Sequence, residues 1–435
     1  MRWRGSILPG RFFRQVAVLT GGTAVGQLLL VAATPLFTRL YSPTDMGIFG
    51  LFYSFLGVAS VAVCWRLEWG VASAAGHLEA ARLLLICLIL CLPMSAMLAA
   101  LLAALIAGDV LSFGLLPAWS SPLAALALAA TGVFVALRYW LVREHAFRSV
   151  SLATVWQAAG RAGMSIALGL LAAGSFGLMA GELAGRVLGI GGMWRQVRPA
   201  LREQRAAGAG TGLTQQLKRA WRYPLVVLPS SVIDATAAAL PVPVIAYLFG
   251  APAAGLFALV WRVASIPGAL IASSVGDVFH AHAVEARQAG GSALRRLLFR
   301  TLGRLALLAT AVYVPICLLS PWAFGFVFGP EWVEAGQLML LLFTMWWSAT
   351  IVSPVSRLLI VIDRPSLKLV FDLVYLAAPM LALFGVSRHG LEAAVLAYGL
   401  AASGAYAVYG LLLVYVAGHG GLHAPVSTPA PDAPR

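Results

Sequence analysis

"TPLFTRLYSPTDMGIFGLF" occupies residues 34–52, with a long apolar run entering it and another leaving it. Between the runs stand Pro35, Arg39, Pro43 and Asp45, so an apolar chain breaks abruptly and then resumes. A second stretch, "VPVIAYLFGAPAAGLFALV" at residues 242–260, breaks in a similar way. A shift of 208 residues lays the first on the second without a gap. Pro35 then meets Pro243, Leu40 meets Leu248, Gly47 meets Gly255, Phe49 meets Phe257 and Leu51 meets Leu259. The shift is close to half of the 435-residue chain, so the echo reads as two repeats.

The composition says what solvent the repeats live in. Hydrophobic residues make up 61% and charged residues 11%, with a mean hydropathy of +0.89. Soluble domains carry about 25% charged residues, so this chain lacks the polar coat that a soluble core of its size needs. Apolar runs near the roughly 20 residues that cross a bilayer recur throughout. A membrane barrel would show short alternating segments instead. The fold expected is all-α and polytopic.

Twelve spans are predicted, near 14–40, 46–66, 83–107, 119–141, 150–173, 176–194, 224–249, 254–279, 304–328, 336–361, 368–387 and 392–416. Gly174 and Ser175 supply the only break between the fifth and sixth. The net charge of +14 does not point to nucleic acid, because the arginines gather in loops on one side. Arg2, Arg4, Arg82, Arg138, Arg195, Arg222, Arg287 and Arg364 exemplify that side, against only Arg39 and Arg388 on the other. The positive-inside rule places both termini in the cytoplasm. The basic opening "MRWRGSILPGRFFRQ" reads as part of a retained first anchor, because its apolar run is too long for a signal peptide.

Six spans per half is an even number, so both halves point the same way. That predicts two parallel six-helix bundles related by an axis along the membrane normal, around a central cavity, a transporter architecture. The domains expected are residues 1–200, a basic cytoplasmic linker at 201–222, residues 223–416, and a Pro-rich disordered tail at 417–435. Pro35 and Pro243 are hinge candidates: kinked backbone is tolerated at membrane depth only against protein or water. The bland alternative is that they end helices. Cys64, Cys87, Cys91 and Cys317 lie inside apolar runs and read as small core residues. His280 and His282 have no third partner in the sequence, so no metal site is expected.

At this point the chain resembles a known family. "LTGGTAVGQLLLVAATPLFTRLYSPTDMGIFGLFYSF" followed by "WRLEWGVASA" is similar to the start of the bacterial polysaccharide-export flippases, within the multidrug/oligosaccharidyl-lipid/polysaccharide exporter superfamily. The pieces that carry the resemblance are Pro35, the run Arg39-Leu40-Tyr41-Ser42-Pro43, Gly47 and the Arg66-x-Glu68 pair. "LRYWLVREHAFRSVSLATVWQ" and "SPVSRLLIVIDRPSL" add to it. The resemblance implies flipping of undecaprenyl-diphosphate-linked oligosaccharide across the bacterial inner membrane for lipopolysaccharide, capsule or exopolysaccharide. It implies no enzyme activity and no cofactor beyond a coupling H+ or Na+. Implied partners are the lipid-linked oligosaccharide, membrane lipids, a polysaccharide polymerase and a chain-length regulator. Twelve spans set it apart from the fourteen-span lipid II flippase branch.

Charges at bilayer depth cost at least ~2.5–3.5 kcal/mol each, so they need a partner or a wet cavity. Arg262, Arg161, Arg66, Arg357 and Arg186 are the candidate cavity cations for a diphosphate, which guanidinium binds through paired hydrogen bonds. Asp234, Glu182 and Glu68 are the candidate ion-coupling carboxylates. Several keep a structural reading. Arg262 and Asp234 are equally readable as a buried pair. Glu182 and Arg186, four apart, are ordered for an intrahelical pair. Arg161, beside Gly160 and Gly163, is readable as packed between helices, and Arg66 and Arg357 as snorkelling. Arg66 and Glu68 are two apart, so they are expected on roughly opposite faces and not in one cavity together. Trp156, Tyr139, Trp140, Trp346 and Trp347 are available as sugar walls. A multidrug cation antiporter would want an acidic cavity. A membrane polysaccharide polymerase or ligase would want a large outer loop, and the longest outer loop here is about a dozen residues.

Overall fold

A computed structural model describes residues 9–209, 211–288, 291–362 and 365–419. The expected tail beyond His419, together with Arg2, Arg4 and Arg364, lies outside the described residues. Every regular element among them is helical: α1 (Pro9–Leu40), α2 (Pro43–Ala62), α3 (Leu67–Ser73), α4 (His77–Ala107), α5 (Ser120–Arg143), α6 (Phe147–Leu170), α7 (Ser175–Gln204), α8 (Leu213–Arg219), α9 (Leu228–Ala239), α10 (Pro241–Gln288), α11 (Gly291–Phe328), α12 (Val333–Leu341), α13 (Phe343–Val352), α14 (Leu358–Val361), α15 (Pro365–Val386) and α16 (Leu391–His419).

Eight of the described helices are long and apolar enough to cross a membrane. A ninth crossing is the pair Pro330–Leu341 and Phe343–Arg357, bent by 52°. The segment Tyr223–Arg287 runs 65 residues, about three times what one crossing needs. Gly250, at φ 85° and ψ 172°, divides it. That conformation excludes a side chain readily adopted by glycine alone. α6 and α7 are long enough to cross, but Arg161, Glu182 and Arg186 dilute their hydropathy. With the long segment taken as two crossings at its Gly250 break, and α6 and α7 as one each, the described helices accommodate the twelve crossings that the sequence predicts. Leucines stand in the open on their flanks, with Leu92, Leu170 and Leu411 each more than 70% exposed, as lipid contact allows.

The interruption in residues 34–52 has a local cause. Ser42 caps α2: its Oγ accepts from the Asp45 N–H at 3.1 Å, and the Asp45 carboxylate accepts from the Ser42 N–H at 3.2 Å. Pro43 starts the helix, where its missing N–H costs nothing. This reciprocal capping box plus proline turns the chain within two residues. Tyr41, at the turn, donates its hydroxyl to the Ser165 carbonyl of α6 at 2.5 Å. Burial, aided by the Asp45 carboxylate, pushes its phenol up to about 12. Pro35 lies inside α1, which continues past it to Leu40. Pro243 is the third residue of α10.

The chain divides into two compact units, Met1–Val260 with Trp322–Ala335, and Trp261–Pro321 with Gly336–Arg435. In the first, the echoed glycines make a reciprocal contact. A Cβ on Gly47 would overlap the Ala251 carbonyl, and a Cβ on Gly255 would overlap the Pro43 carbonyl. The same shift of 208 residues that relates the glycines also relates Pro43 to Ala251. α2 and the start of α10 therefore cross symmetrically, as a repeat axis demands. Leu51, Phe257 and Leu259 are buried beside this crossing. Small residues also seat α7 on α6, where a Cβ on Gly185 would lie 2.5 Å from the Gln157 carbonyl. The 3-10 turn Pro330–Trp332 belongs to this unit too, and Trp332 donates its indole N–H to the Thr38 carbonyl at 3.0 Å.

The second unit is held by aromatic and hydroxyl contacts. Tyr313 donates to the Ala264 carbonyl at 2.9 Å. Trp261 meets Trp346 edge-on at 4.9 Å. Phe371 of α15 stacks on Tyr409 of α16 at 3.9 Å.

Candidate functional site

Three of the eight candidate charges converge in the first unit. Glu182 on α7 faces Arg161 on α6 and reaches Arg186 one turn along its own helix. Arg161 Nη1 lies 2.9 Å from Glu182 Oε2. Arg186 Nε and Nη2 donate to Glu182 Oε1 at 2.9 and 2.8 Å. Arg186 Nη1 also donates to Thr131 Oγ1 of α5 at 2.8 Å, and that hydroxyl donates to the Ala127 carbonyl. The intrahelical Glu182–Arg186 pair forms as spacing suggests. Its extension to Arg161 needs the close approach of α6 and α7 that Gly185 permits.

One carboxylate between two guanidiniums leaves this buried cluster with a formal charge of +1. Arg161 places its guanidinium 5.1 Å from the Tyr53 ring and 5.7 Å from the Phe49 ring, an attraction that offsets part of its desolvation. Its Nη2 is buried and has no hydrogen-bond partner among the described residues. A cleft of about 160 Å³ opens onto the cluster, lined also by Thr23, Gln27, Thr154 and Gln157. A surplus cation with unused donors, amides and hydroxyls suits an anionic, hydroxyl-rich ligand.

Arg66 and Glu68 form a second pair, and the expectation that they point to opposite faces is wrong. It assumed one continuous helix. α2 ends at Ala62, Trp65 and Arg66 take left-handed conformations at φ 54° and 59°, and α3 restarts at Leu67. The break swings Arg66 Nη1 to 3.5 Å from Glu68 Oε1. Glu68 is 3% exposed, and its Oε2 finds no hydrogen-bond partner among the described residues. Burial raises its carboxyl above the ordinary value, against the lowering effects of the helix backbone and Arg66. The Arg66 guanidinium lies 5.2 Å from the Trp69 ring.

The remaining candidates stand elsewhere. Asp234 is exposed on α9 of the first unit, and Arg262 is half-buried on α10 in the second. Arg357 ends the 3-10 turn Ser353–Arg357, with its side chain beside Gly276. Sequence reading overlooked Thr131, Gln27 and the Phe49–Tyr53 pair. A polar glutamine in an apolar helix and aromatics four apart on α2 were legible signals. Nothing along the chain distinguishes Thr131 from a threonine that bonds its own helix.

The sequence profile of the polysaccharide biosynthesis protein family matches residues 36–337, which include this whole cluster. The chain belongs to that family. The family member shares its fold with a multidrug-resistance transporter of the MATE family, from the MOP superfamily, in an inward-facing conformation. The TM-score is 0.66 at 15% identity, over 91% of this chain and 95% of that one. The lipid II flippase MurJ in an inward closed conformation gives 0.65 at 13% identity, over 91% and 86%. A MOP-superfamily transporter from Pyrococcus furiosus gives 0.52 at 15% identity, over 93% and 92%. No curated protein matches the chain in sequence. The family member is thus a multi-pass membrane protein of polysaccharide biosynthesis with a transporter fold.

Proposed function

We propose that the protein flips a polyprenyl-diphosphate-linked oligosaccharide from the inner to the outer leaflet of the bacterial inner membrane, with both termini cytoplasmic. The observation that carries this reading is the buried, net-positive Arg161–Glu182–Arg186 cluster at the polar cleft of the first unit, in a polysaccharide biosynthesis protein. The two guanidiniums receive the diphosphate, and Glu182 keeps them from repelling each other while the site is empty. Gln27, Gln157, Thr23 and Thr154 meet the first sugar hydroxyls. Arg262 and Arg357 are the matching cations of the second unit. The polyprenyl tail stays in lipid. No bond is made or broken, so the protein is not an enzyme.

The cycle is alternating access between an N-terminal bundle (1–200) and a C-terminal bundle (223–416), joined by the 201–222 linker and hinged at Pro35 and Pro243. A coupling proton resides on Glu68, the one candidate carboxylate that is both buried and opposed by a single, loosely placed guanidinium. Products pass to a polymerase and its chain-length regulator. A multidrug cation antiporter is the weaker reading, because Glu182, the one carboxylate lining this cleft among the described residues, is engaged by two arginines.

Flipping of a lipid-linked oligosaccharide in reconstituted liposomes tests the proposal. Arg161→Lys keeps the charge but loses the paired donors, and its expected rate is about tenfold lower. An unchanged rate in both Arg161→Lys and Arg186→Lys would remove the cluster from the substrate path.

A further inference from the structure

A second cationic site lies in the other unit and takes no part in the proposed substrate cleft. α11 opens with "GSALRRLLFR", which puts Arg295, Arg296 and Arg300 within two turns. They line a cleft of about 550 Å³ with Ser292, Phe299 and Gly418, the last from the end of α16. Among the described residues no acidic side chain lines it. All three arginines are exposed, and none meets a carboxylate among the described residues. Arg296 Nε reaches only the Ser292 carbonyl, at 3.3 Å. The Arg295 guanidinium lies 5.5 Å from the Phe299 ring.

The charge here is uncompensated, unlike that of the Arg161 cluster, and its setting says what compensates it. α11 is only 22% buried over its spanning window, and Leu307 and Leu318 on its flank are 75% and 68% exposed. A spanning helix with so open an apolar flank suits contact with lipid, which would set the arginines of its first turns at the level of the headgroups. Guanidiniums at that level meet lipid phosphates, and basic pockets between spanning helices hold anionic headgroups. Three arginines around a cleft of this size match two phosphates better than one. Phe299 supplies an apolar wall for the glycerol and upper acyl region.

We propose that this cleft binds the headgroup of an anionic phospholipid that carries two separate phosphodiesters, of the cardiolipin class. Three contacts of about fivefold each compound to roughly a hundredfold in affinity.

Native mass spectrometry of the full chain in mild detergent, titrated with tetraoleoyl cardiolipin, tests this directly. R295Q/R296Q/R300Q is expected to weaken binding about a hundredfold. R195Q/R198Q/R202Q, which removes the same charge from exposed positions on α7, is expected to change it less than about twofold. Inorganic phosphate at millimolar concentration is expected not to displace the lipid. Equal weakening in both triple variants, no weakening in the first, or displacement by phosphate overturns the proposal. If the first triple variant does not purify, Arg296→Gln and Arg300→Gln carry the test. Each should weaken binding several-fold, and unchanged binding in both overturns it.

Discussion

Two arginine–glutamate clusters in the first unit share their chemistry and differ in their balance. At Arg161–Glu182–Arg186 both carboxylate oxygens are engaged by two guanidiniums at 2.8–2.9 Å. At Arg66–Glu68 one guanidinium stands 3.5 Å from one oxygen. The first carries a surplus positive charge, and the second is neutral in formal charge and only loosely paired. A site for an anion wants the first arrangement, and a site that takes up and releases a proton wants the second. The difference comes from backbone. Glycine lets α6 and α7 approach and bring three charges together. A left-handed break after α2 brings only two together, loosely.

The contrast is broken most severely by Glu182→Gln. It leaves two buried guanidiniums without a counter-charge, and the expected loss of stability is about 3–5 kcal/mol. Denaturant unfolding in detergent measures it, and a loss near zero would mean that water or lipid already solvates the cluster.

Arg186→Met sharpens the contrast. It makes the first cluster resemble the second, with one guanidinium per carboxylate and no net charge. Stability should fall by about 1–3 kcal/mol, as for an unsatisfied buried hydrogen-bonded charge. Flipping should fall with it, and retained flipping would show that the surplus charge is unnecessary.

Glu68→Gln acts on the other cluster through pH. Burial raises the folded-state pKa of Glu68 above its unfolded value near 4.5. The contribution of this group to stability is therefore fully present below about pH 4.5 and is lost as pH rises through its folded value. The glutamine variant removes that loss, so wild type and variant should agree at acid pH and diverge upward, with the variant gaining. Thermal unfolding from pH 4 to 8 checks the divergence, and parallel curves would exclude a raised carboxyl. The smallest effect is expected from Thr131→Val, which deletes one hydrogen bond to Arg186 and costs about 1 kcal/mol.

Much of the fold was legible in the chain. The 208-residue echo predicted that Gly47 and Gly255 occupy equivalent places, and they turn out to be the two glycines of one symmetric helix crossing. The apolar runs gave twelve crossings because bilayer thickness imposes a length on each. The clusters were legible only in part. Spacing alone delivers Glu182–Arg186, since four residues is one helical turn. Recruitment of Arg161 and Thr131 depends on which helices pack together, which no local pattern states. Arg66–Glu68 was misread because positive φ at Trp65 and Arg66 leaves no trace in composition: neither residue favours it, and tertiary packing sustains it.

Under the proposed function, the Arg161–Glu182–Arg186 cluster receives a diphosphate head. This is tested most directly by comparing binding of undecaprenyl diphosphate and undecaprenol to the detergent-purified protein, in wild type and in Arg161→Lys. The account predicts that wild type prefers the diphosphate by at least about tenfold. Arg161→Lys should lose most of that preference, while R295Q/R296Q/R300Q keeps it. Equal affinity of wild type for the diphosphate and the uncharged alcohol, or an undiminished preference in Arg161→Lys, would contradict it.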